Sequence, residues 1–372
     1  MALGKATVNN LNLGQGSVTE VERYFLFIGP GAKNIGQILA LNTESDLDAQ
    51  LGVPASDLKT QISTARDNGG ERWSCLAAPI AADGDWLAAF TYAQQHGYDV
   101  EGVVITKPVT TADELSAMNT AANNVQSTYG RRVFVLAATA GIVSAEQTWA
   151  EYQVQQVGLV NSLVADRVVA VPQLHGNDQG VLAGRLANAA VSIADTPMRV
   201  ATGAVLSLGP TPKDKDGIPL QSATRAVLDA ARLSVTQTYP GYPGVYWADA
   251  NLLAAPGADV QVIEYLRVLD KAARRVRVLL IQRVGDRRLN SSANSMEVNR
   301  TALMKPLRAM AKSTTVGANV FPGEIEAPGK DSIVLSWTSK TAVVAYLTLR
   351  PLNCPKDITA NLALDLSTNT AE

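Results

Sequence analysis

The residues that could do chemistry are few, and their spacing argues against most of it. Gly29–Gly36 (GPGAKNIG) follows an apolar run, where a dinucleotide-binding loop would sit. The G-x-G-x-x-G fingerprint needs a third glycine so that a helix can start against the phosphates. That position is Asn34, and Pro30 stands where the phosphate turn begins. No G-x-x-x-x-G-K-[ST] loop occurs. His96 and His175 are the only histidines, and neither has a Cys or a second His at ligand spacing. No G-x-S-x-G elbow offers an activated serine. Asp46/Asp48 and Asp83/Asp85 read as solvated loops or helix caps, and Lys213–Asp216 (KDKD) as a solvated turn. Cys75 falls in an apolar strand pattern and reads as core. Tyr239–Trp247 (YPGYPGVYW) could stack on a sugar, although packing against a neighbouring element is the default for such rings. Two ligand readings therefore stay open: a nucleotide-binding α/β enzyme using Gly29–Gly36, and a glycan-binding module using Tyr239–Trp247. No catalytic, cofactor or metal residue is assigned.

Composition agrees with a chain poor in sites. Of 372 residues, 47% are hydrophobic, enough for a sizeable core, and only 18% are charged, against about 25% in an ordinary soluble domain. A weakly charged surface suits a chain that covers much of itself with neighbours. The net charge of −2 predicts no nucleic-acid binding. No run of 18 apolar residues predicts a membrane helix, and the first ten residues lack the pattern of a signal peptide. Two cysteines, Cys75 and Cys354, make no disulfide framework. Charge is unevenly placed. Residues 267–312 hold twelve bases against three acids, and residues 40–117 hold twelve acids against four bases. Two solvated faces, or a basic face meeting a neighbour's acidic face, both fit this split.

The elements predicted around these residues alternate. Apolar strands are expected at Tyr24–Gly29, Arg72–Ala78, Val103–Thr106, Arg132–Ala138 and Arg167–Val171. Helices are expected near 44–51, 55–68, 86–96, 111–128, 145–163 and 179–193. Continuous apolar strands between helices imply a sheet covered on both faces, the α/β class. Gly209–Pro219 reads as a linker. After it come a strand at 259–266, a long basic helix to about Arg283, and a helix from Ser295 to Lys312 kinked or restarted at Pro306. Strands at 333–338 and 343–350 close an α+β part.

The expected final strand, Ile358–Leu366, alternates cleanly. Ile358, Ala360, Leu362, Leu364 and Leu366 share one face. It follows the Cys354–Pro355 break, so it either pairs in its own sheet or adds to a neighbour's sheet edge. Ala6–Leu13, with Thr7, Val8, Leu11 and Leu13, is a weaker counterpart before Gly14–Gly16. The units expected are an N-terminal arm (1–20), an α/β domain (21–210), an α+β domain (211–352) packed with parts of 21–100, and a C-terminal arm (353–372).

Four blocks, taken in order, resemble contractile tail sheath proteins of bacteriophages and related injection machines. They are Tyr24–Gly52, the Asn68–Gly69–Gly70–Glu71–Arg72–Trp73 turn before a strand, Val260–Arg267 with the two helices after it, and Val344–Pro351 followed by Ile358–Leu366. The resemblance covers roughly 120 residues, and residues 100–210 carry little of it. It implies a non-enzymatic structural protein without cofactors. Subunits would form hexameric rings stacked around a tail tube protein, bounded by baseplate and tail terminator proteins. Neither nucleic acid nor membrane insertion is implied. The arms would be Ala6–Leu13 and Ile358–Leu366, the tube or a neighbouring subunit would meet Arg274, Arg275 and Arg277, and assembly would take place in a host cytoplasm before the sheath joins a virion.

Overall fold

The computed structural model describes residues 21–316 and 319–364. In chain order the elements are β1 (Phe25–Pro30), β2 (Leu39–Asn42), α1 (Leu47–Leu51), α2 (Asp57–Gly69), β3 (Ser74–Ile80), α3 (Trp86–Gln95), β4 (Gly102–Val109), α4 (Ala112–Tyr129), β5 (Phe134–Thr139), α5 (Trp149–Val160), β6 (Val168–Pro172) and α6 (Asp178–Ala187). Next come α7 (Ser222–Ala230), β7 (Thr236–Tyr239), β8 (Tyr242–Trp247), α8 (Ile263–Ile281), α9 (Ala293–Met310), β9 (Thr314–Val316), β10 (Asn319–Phe321), β11 (Ile333–Trp337) and β12 (Val343–Leu347).

The first six strands form one sheet in the order β2-β3-β1-β4-β5-β6. All neighbours run parallel except β2, an antiparallel edge strand on β3. Side chains alternate between two cores, as the pleat requires. Leu26, Ile28, Val103, Ile105, Val135, Ala137, Val168 and Ala170 pack with α3, α4, α5 and α7. Phe25, Phe27, Val104, Phe134, Leu136, Val169 and Val171 pack with α2, α6 and the start of α8. Both faces are apolar because both are covered, which is the expected α/β architecture.

On the second face α2 and α6 approach closely. A Cβ on Gly180 would come 2.4 Å from the Gln61 carbonyl oxygen, and one on Gly184 2.4 Å from that of Ala65. Only glycine at both positions, one turn apart, lets the backbones meet. Polar side chains fill the gap this leaves. Gln61 Nε2 donates to Gln173 Oε1 at 2.9 Å, and Gly180 N–H donates to Gln61 Oε1 at 2.6 Å. Gln179 Nε2 donates to the carbonyls of Ile105 and Leu136, beside the register shift between β4 and β5.

A third core joins α8 and α9 to the C-terminal hairpin. Val268, Ala272 and Val276 recur every fourth residue and meet Leu303, Met304, Leu307 and Met310, with Ile325, Ile333, Leu335 and Leu347 beneath.

Several expectations are corrected. Residues 259–266 hold no strand. Val262 makes only an isolated bridge to Asn251, and α8 begins at Ile263. Helix α9 does not restart at Pro306 but runs through it as one helix. Tyr239–Trp247, whose two Pro-Gly pairs suggest an aromatic loop, forms the turn and second strand of the β7–β8 hairpin, closed by Pro240–Gly241 with Gly241 at φ 75°. The supposed linker folds back on itself through a Lys213–Pro219 bridge. Residues 358–364 pair with no sheet of their own chain among the described residues, which removes the first of the two pairings expected for that segment.

Candidate functional site

A charged residue stands just ahead of four of the parallel strands: Glu22 and Arg23 before β1, Glu101 before β4, Arg132 before β5 and Arg167 before β6. These residues line the amino edge of the sheet, and α8 is docked to them. Arg267, Asp270, Lys271 and Arg274 fall on one stripe of α8 because their spacings are three, four and seven. Arg267 donates twice to the Glu101 carboxylate, at 2.7 and 2.8 Å, and once to the Leu186 carbonyl at 2.9 Å. Arg23 N–H adds a bond to the same carboxylate at 2.6 Å. Asp270 receives Arg167 through two bonds, at 2.9 and 3.1 Å, and Arg132 at 3.2 Å. Arg274 reaches Glu22 at 2.9 Å, and Lys271 reaches Glu324 at 2.6 Å. The basic segment is thus partly neutralised inside its own chain.

The three arginines expected to face the tube or a neighbour separate accordingly. Arg274 is turned inward onto Glu22 and the Arg132 carbonyl. Arg275 is half-buried. Arg277, a turn beyond the sheet edge, is exposed and lies 3.4 Å from the Tyr129 carbonyl.

The features that could have made an enzyme are used structurally. Gly29–Gly36 leads into the edge strand β2, not a helix, so no helix N-terminus faces it. Gly29 is pressed against Thr106, whose Oγ1 would stand 1.8 Å from an added Cβ. His175 Nδ1 lies 2.7 Å from Asp178 Oδ1 inside the protein. His96 stacks on Tyr92 with ring centroids 3.9 Å apart. Asp46 and Asp85 cap α1 and α3. Asp214 corrects the solvated-turn reading of KDKD. It is buried, accepts from the N–H groups of Trp149, Asp216 and Ile218, and so pins residues 213–219 to the start of α5. Tyr246 packs its ring against those of Tyr239 and Tyr242, with centroids 5.6 and 5.8 Å apart. Among the described residues, no group of three His, Cys, Asp or Glu could hold a metal, and no helix is long and apolar enough to cross a membrane.

The C-terminal part presents a different kind of surface. Strands β11 and β12 pair only with each other among the described residues. Their inner face rests on the third core, and their outer face exposes Val334, Val344 and Tyr346. From Pro351 the chain crosses back to the body. Lys356 meets Asp249 and Glu264 there, with Nζ 2.7 Å from Glu264 Oε1. Beyond it Ile358 and Leu364 are each 81% exposed and Leu362 is fully exposed; Ala360 is exposed too. Thr7, Val8, Leu11, Leu13 and Leu366 lie outside the described residues. Sequence reasoning missed Glu22, Glu101, Asp270, Asp249, Glu264 and Lys356. The charged residue set directly before each apolar strand was the available signal for the first two.

Relatives share this architecture. A protein of Haemophilus phage HP1 (strain HP1c1), named as a tail sheath protein, is 42% identical over 378 residues, covering 96% of this chain and 97% of its own. The sheath of an extracellular contractile injection system, PVC, in its contracted state superposes with a TM-score of 0.66 at 11% identity, covering 98% of each chain. A sheath tail protein from Desulfitobacterium hafniense superposes with a TM-score of 0.57 at 8% identity, covering 94% of this chain and 96% of its own. Those two likenesses concern the fold. Residues 3–251 match the N-terminal domain of the DUF2586 family and residues 259–367 its C-terminal domain. The chain belongs to the DUF2586 family, among the tail sheath proteins, and its role is structural, not enzymatic.

Proposed function

We propose that the subunit assembles into six-fold rings stacked around an inner tail tube, and that the stack shortens to drive the tube through a cell envelope. The observation that carries this is a mismatch within one chain. It ends in an alternating apolar segment that its own body leaves exposed at Ile358, Leu362 and Leu364, while the β11–β12 hairpin has no third strand among the described residues. A strand donated from one copy to the hairpin edge of the next satisfies both. The N-terminal segment with Thr7, Val8, Leu11 and Leu13 is assigned the same role. Residues 1–20 and 353–372 are then arms on an α/β body (21–210) and an α+β unit (211–352). Arg275 and Arg277 are assigned to the tube or a neighbouring subunit, and baseplate and terminator proteins to the ends of the stack. Assembly in the host cytoplasm would precede incorporation into the particle.

A shortening sheath needs no nucleotide if the work is stored in packing and released by a two-state rearrangement. Negative-stain microscopy of the purified protein tests the reading directly. Hollow tubes or stacked rings with six-fold end views are expected, and a discrete monomer or dimer at every concentration and salt would overturn it.

A further inference from the structure

Two carboxylates lie together where the first family region gives way to the second. Asp249 follows β8 by two residues, and Glu264 sits in the first turn of α8. Both are buried, Glu264 to 1% exposure. Asp249 is oriented by the Ala250 N–H, which donates to Oδ1 at 2.9 Å. Two buried acids lose their water and repel each other, so they need a cation. That cation comes from far along the chain. Lys356 Nζ stands 2.7 Å from Glu264 Oε1 and also pairs with Asp249. Upstream, the chain is tied by a Pro351–Ile325 bridge and by Leu352 N–H bonded to the Glu324 carbonyl at 3.4 Å. Downstream, every described residue from Asp357 to Leu364 is exposed. Lys356 is therefore the last described residue that grips the body.

We propose that Asp249 and Glu264 form a lysine socket, and that Lys356 is the latch fixing where the C-terminal arm leaves its own subunit. This deepens the strand-donation reading and rests on it. The charged residues facing the socket come from four separate places: the segment after β8, the first turn of α8, the root of the arm, and Asp229 of α7, which feels both Asp249 and Lys356 and is held by a bond from Asn251. One ammonium thus staples both family regions and the arm at one point. The segment beyond can swing toward a neighbour while α8 and the hairpin stay undisturbed.

The chain carries its own reporter. Cys354 is half-buried two residues before the latch, and Cys75, the other thiol, is fully buried. The experiment measures the reaction of the full-length, unassembled subunit with dithiobis(nitrobenzoate). Lys356→Met should raise the Cys354 rate at least about threefold, because local opening exposes the root. Glu264→Gln should raise it in the same direction, and Lys356→Arg, which keeps the cation, should react at the native rate. A Met variant that reacts at the native rate, or an Arg variant as fast as the Met variant, overturns the latch. Negative staining of the same proteins reads the arm separately. A native subunit that never forms tubes counts against strand donation while leaving the thiol result to stand.

Discussion

Arg267 and Glu101 stand 166 residues apart in the chain and meet through two hydrogen bonds in the buried seam between sheet and helix. A pair of this kind tolerates loss of both partners better than loss of one, because the survivor keeps its charge without compensation. Arg267→Met should therefore destabilise the subunit by roughly 3–5 kcal/mol, read as a lower urea midpoint. Arg267→Met with Glu101→Met should recover most of that loss. Two single losses that simply add in the double variant would show that the residues do not act as a pair. Glu22 carries the pH dependence of the same seam. Burial raises its pKa, but Arg274, with Lys271 behind it, outweighs burial and holds the carboxyl below its usual range. A carboxyl whose pKa is lower folded than unfolded adds stability above the unfolded value, and that stability is lost as pH falls through the folded value. The melting temperature should thus fall as pH drops below about 4.3, and Glu22→Gln should flatten that slope while lowering stability at neutral pH. A slope identical in the variant would remove Glu22 as a cause. Lys356 acts at the other end of the scale. Burial lowers its pKa, but Glu264 and Asp249 outweigh burial and raise it above 10.5. Its contribution is full below the ordinary lysine range and is lost only as pH rises through the raised value.

Among elements, the α2–α6 crossing has the least room. Gly184→Val would force a side chain onto the Ala65 carbonyl and the Asn68 Cβ. Overpacking of this kind costs about 1–3 kcal/mol or more, and a thermal melt should show it, whereas Gly158→Ala on α5, where an added Cβ meets nothing within 4 Å, should not. The five parallel strands were legible in the sequence because both faces of the sheet are covered, so they read as unbroken apolar runs between helices. The hairpin β7–β8 was not, because Pro240 and Gly241 look like loop residues until Tyr239 is seen opposite Tyr242. Helix α8 was displaced by a strand-like start, since Val260 and Val262 alternate before the helix begins at Ile263. The alternation of Ile358, Ala360, Leu362 and Leu364 was plain, but the partner it needs is not in the described chain. Partners of charged residues were illegible for a simpler reason. Arg167 and Asp270 are 103 residues apart, and no local pattern announces such a pair. Deleting residues 358–372 tests the arm as an element. Little of the described part of that segment is packed, so the truncated subunit should keep its melting temperature to within about 2 °C and remain unassembled by light scattering. Aggregation on truncation, or tubes of native length, would speak against donation.

For the molecule as a whole, the uneven charge of the sequence is partly an internal matter. Arg267, Lys271 and Arg274 each have an acidic partner in the same chain. Arg283, Arg288 and Arg300 also pair with acids of their own chain, so the proposed assembly draws on the exposed rim of the segment, which includes Arg277. Arg277→Glu should slow tube growth severalfold at low salt and leave the melt nearly unchanged. The gap between variant and native protein should close as ionic strength rises, because charges more than about 10 Å apart are screened at 0.1 M salt. Growth at the native rate would reduce that rim to a solvated face.

On the proposed strand donation, the hairpin edge, which has no third strand among the described residues, gives the polymer a direction. A subunit with a strand to give and an edge to receive makes a head-to-tail contact, and where that contact joins one ring to the next it repeats along the stack without closing. A stack of any length then has one end showing vacant edges and another showing idle strands, and the two ends need different stoppers. A subunit lacking 358–372 can receive a C-terminal strand but has none of its own to give. Mixed into native protein as a minor fraction, it should act as a chain terminator, shortening the tubes out of proportion to its share.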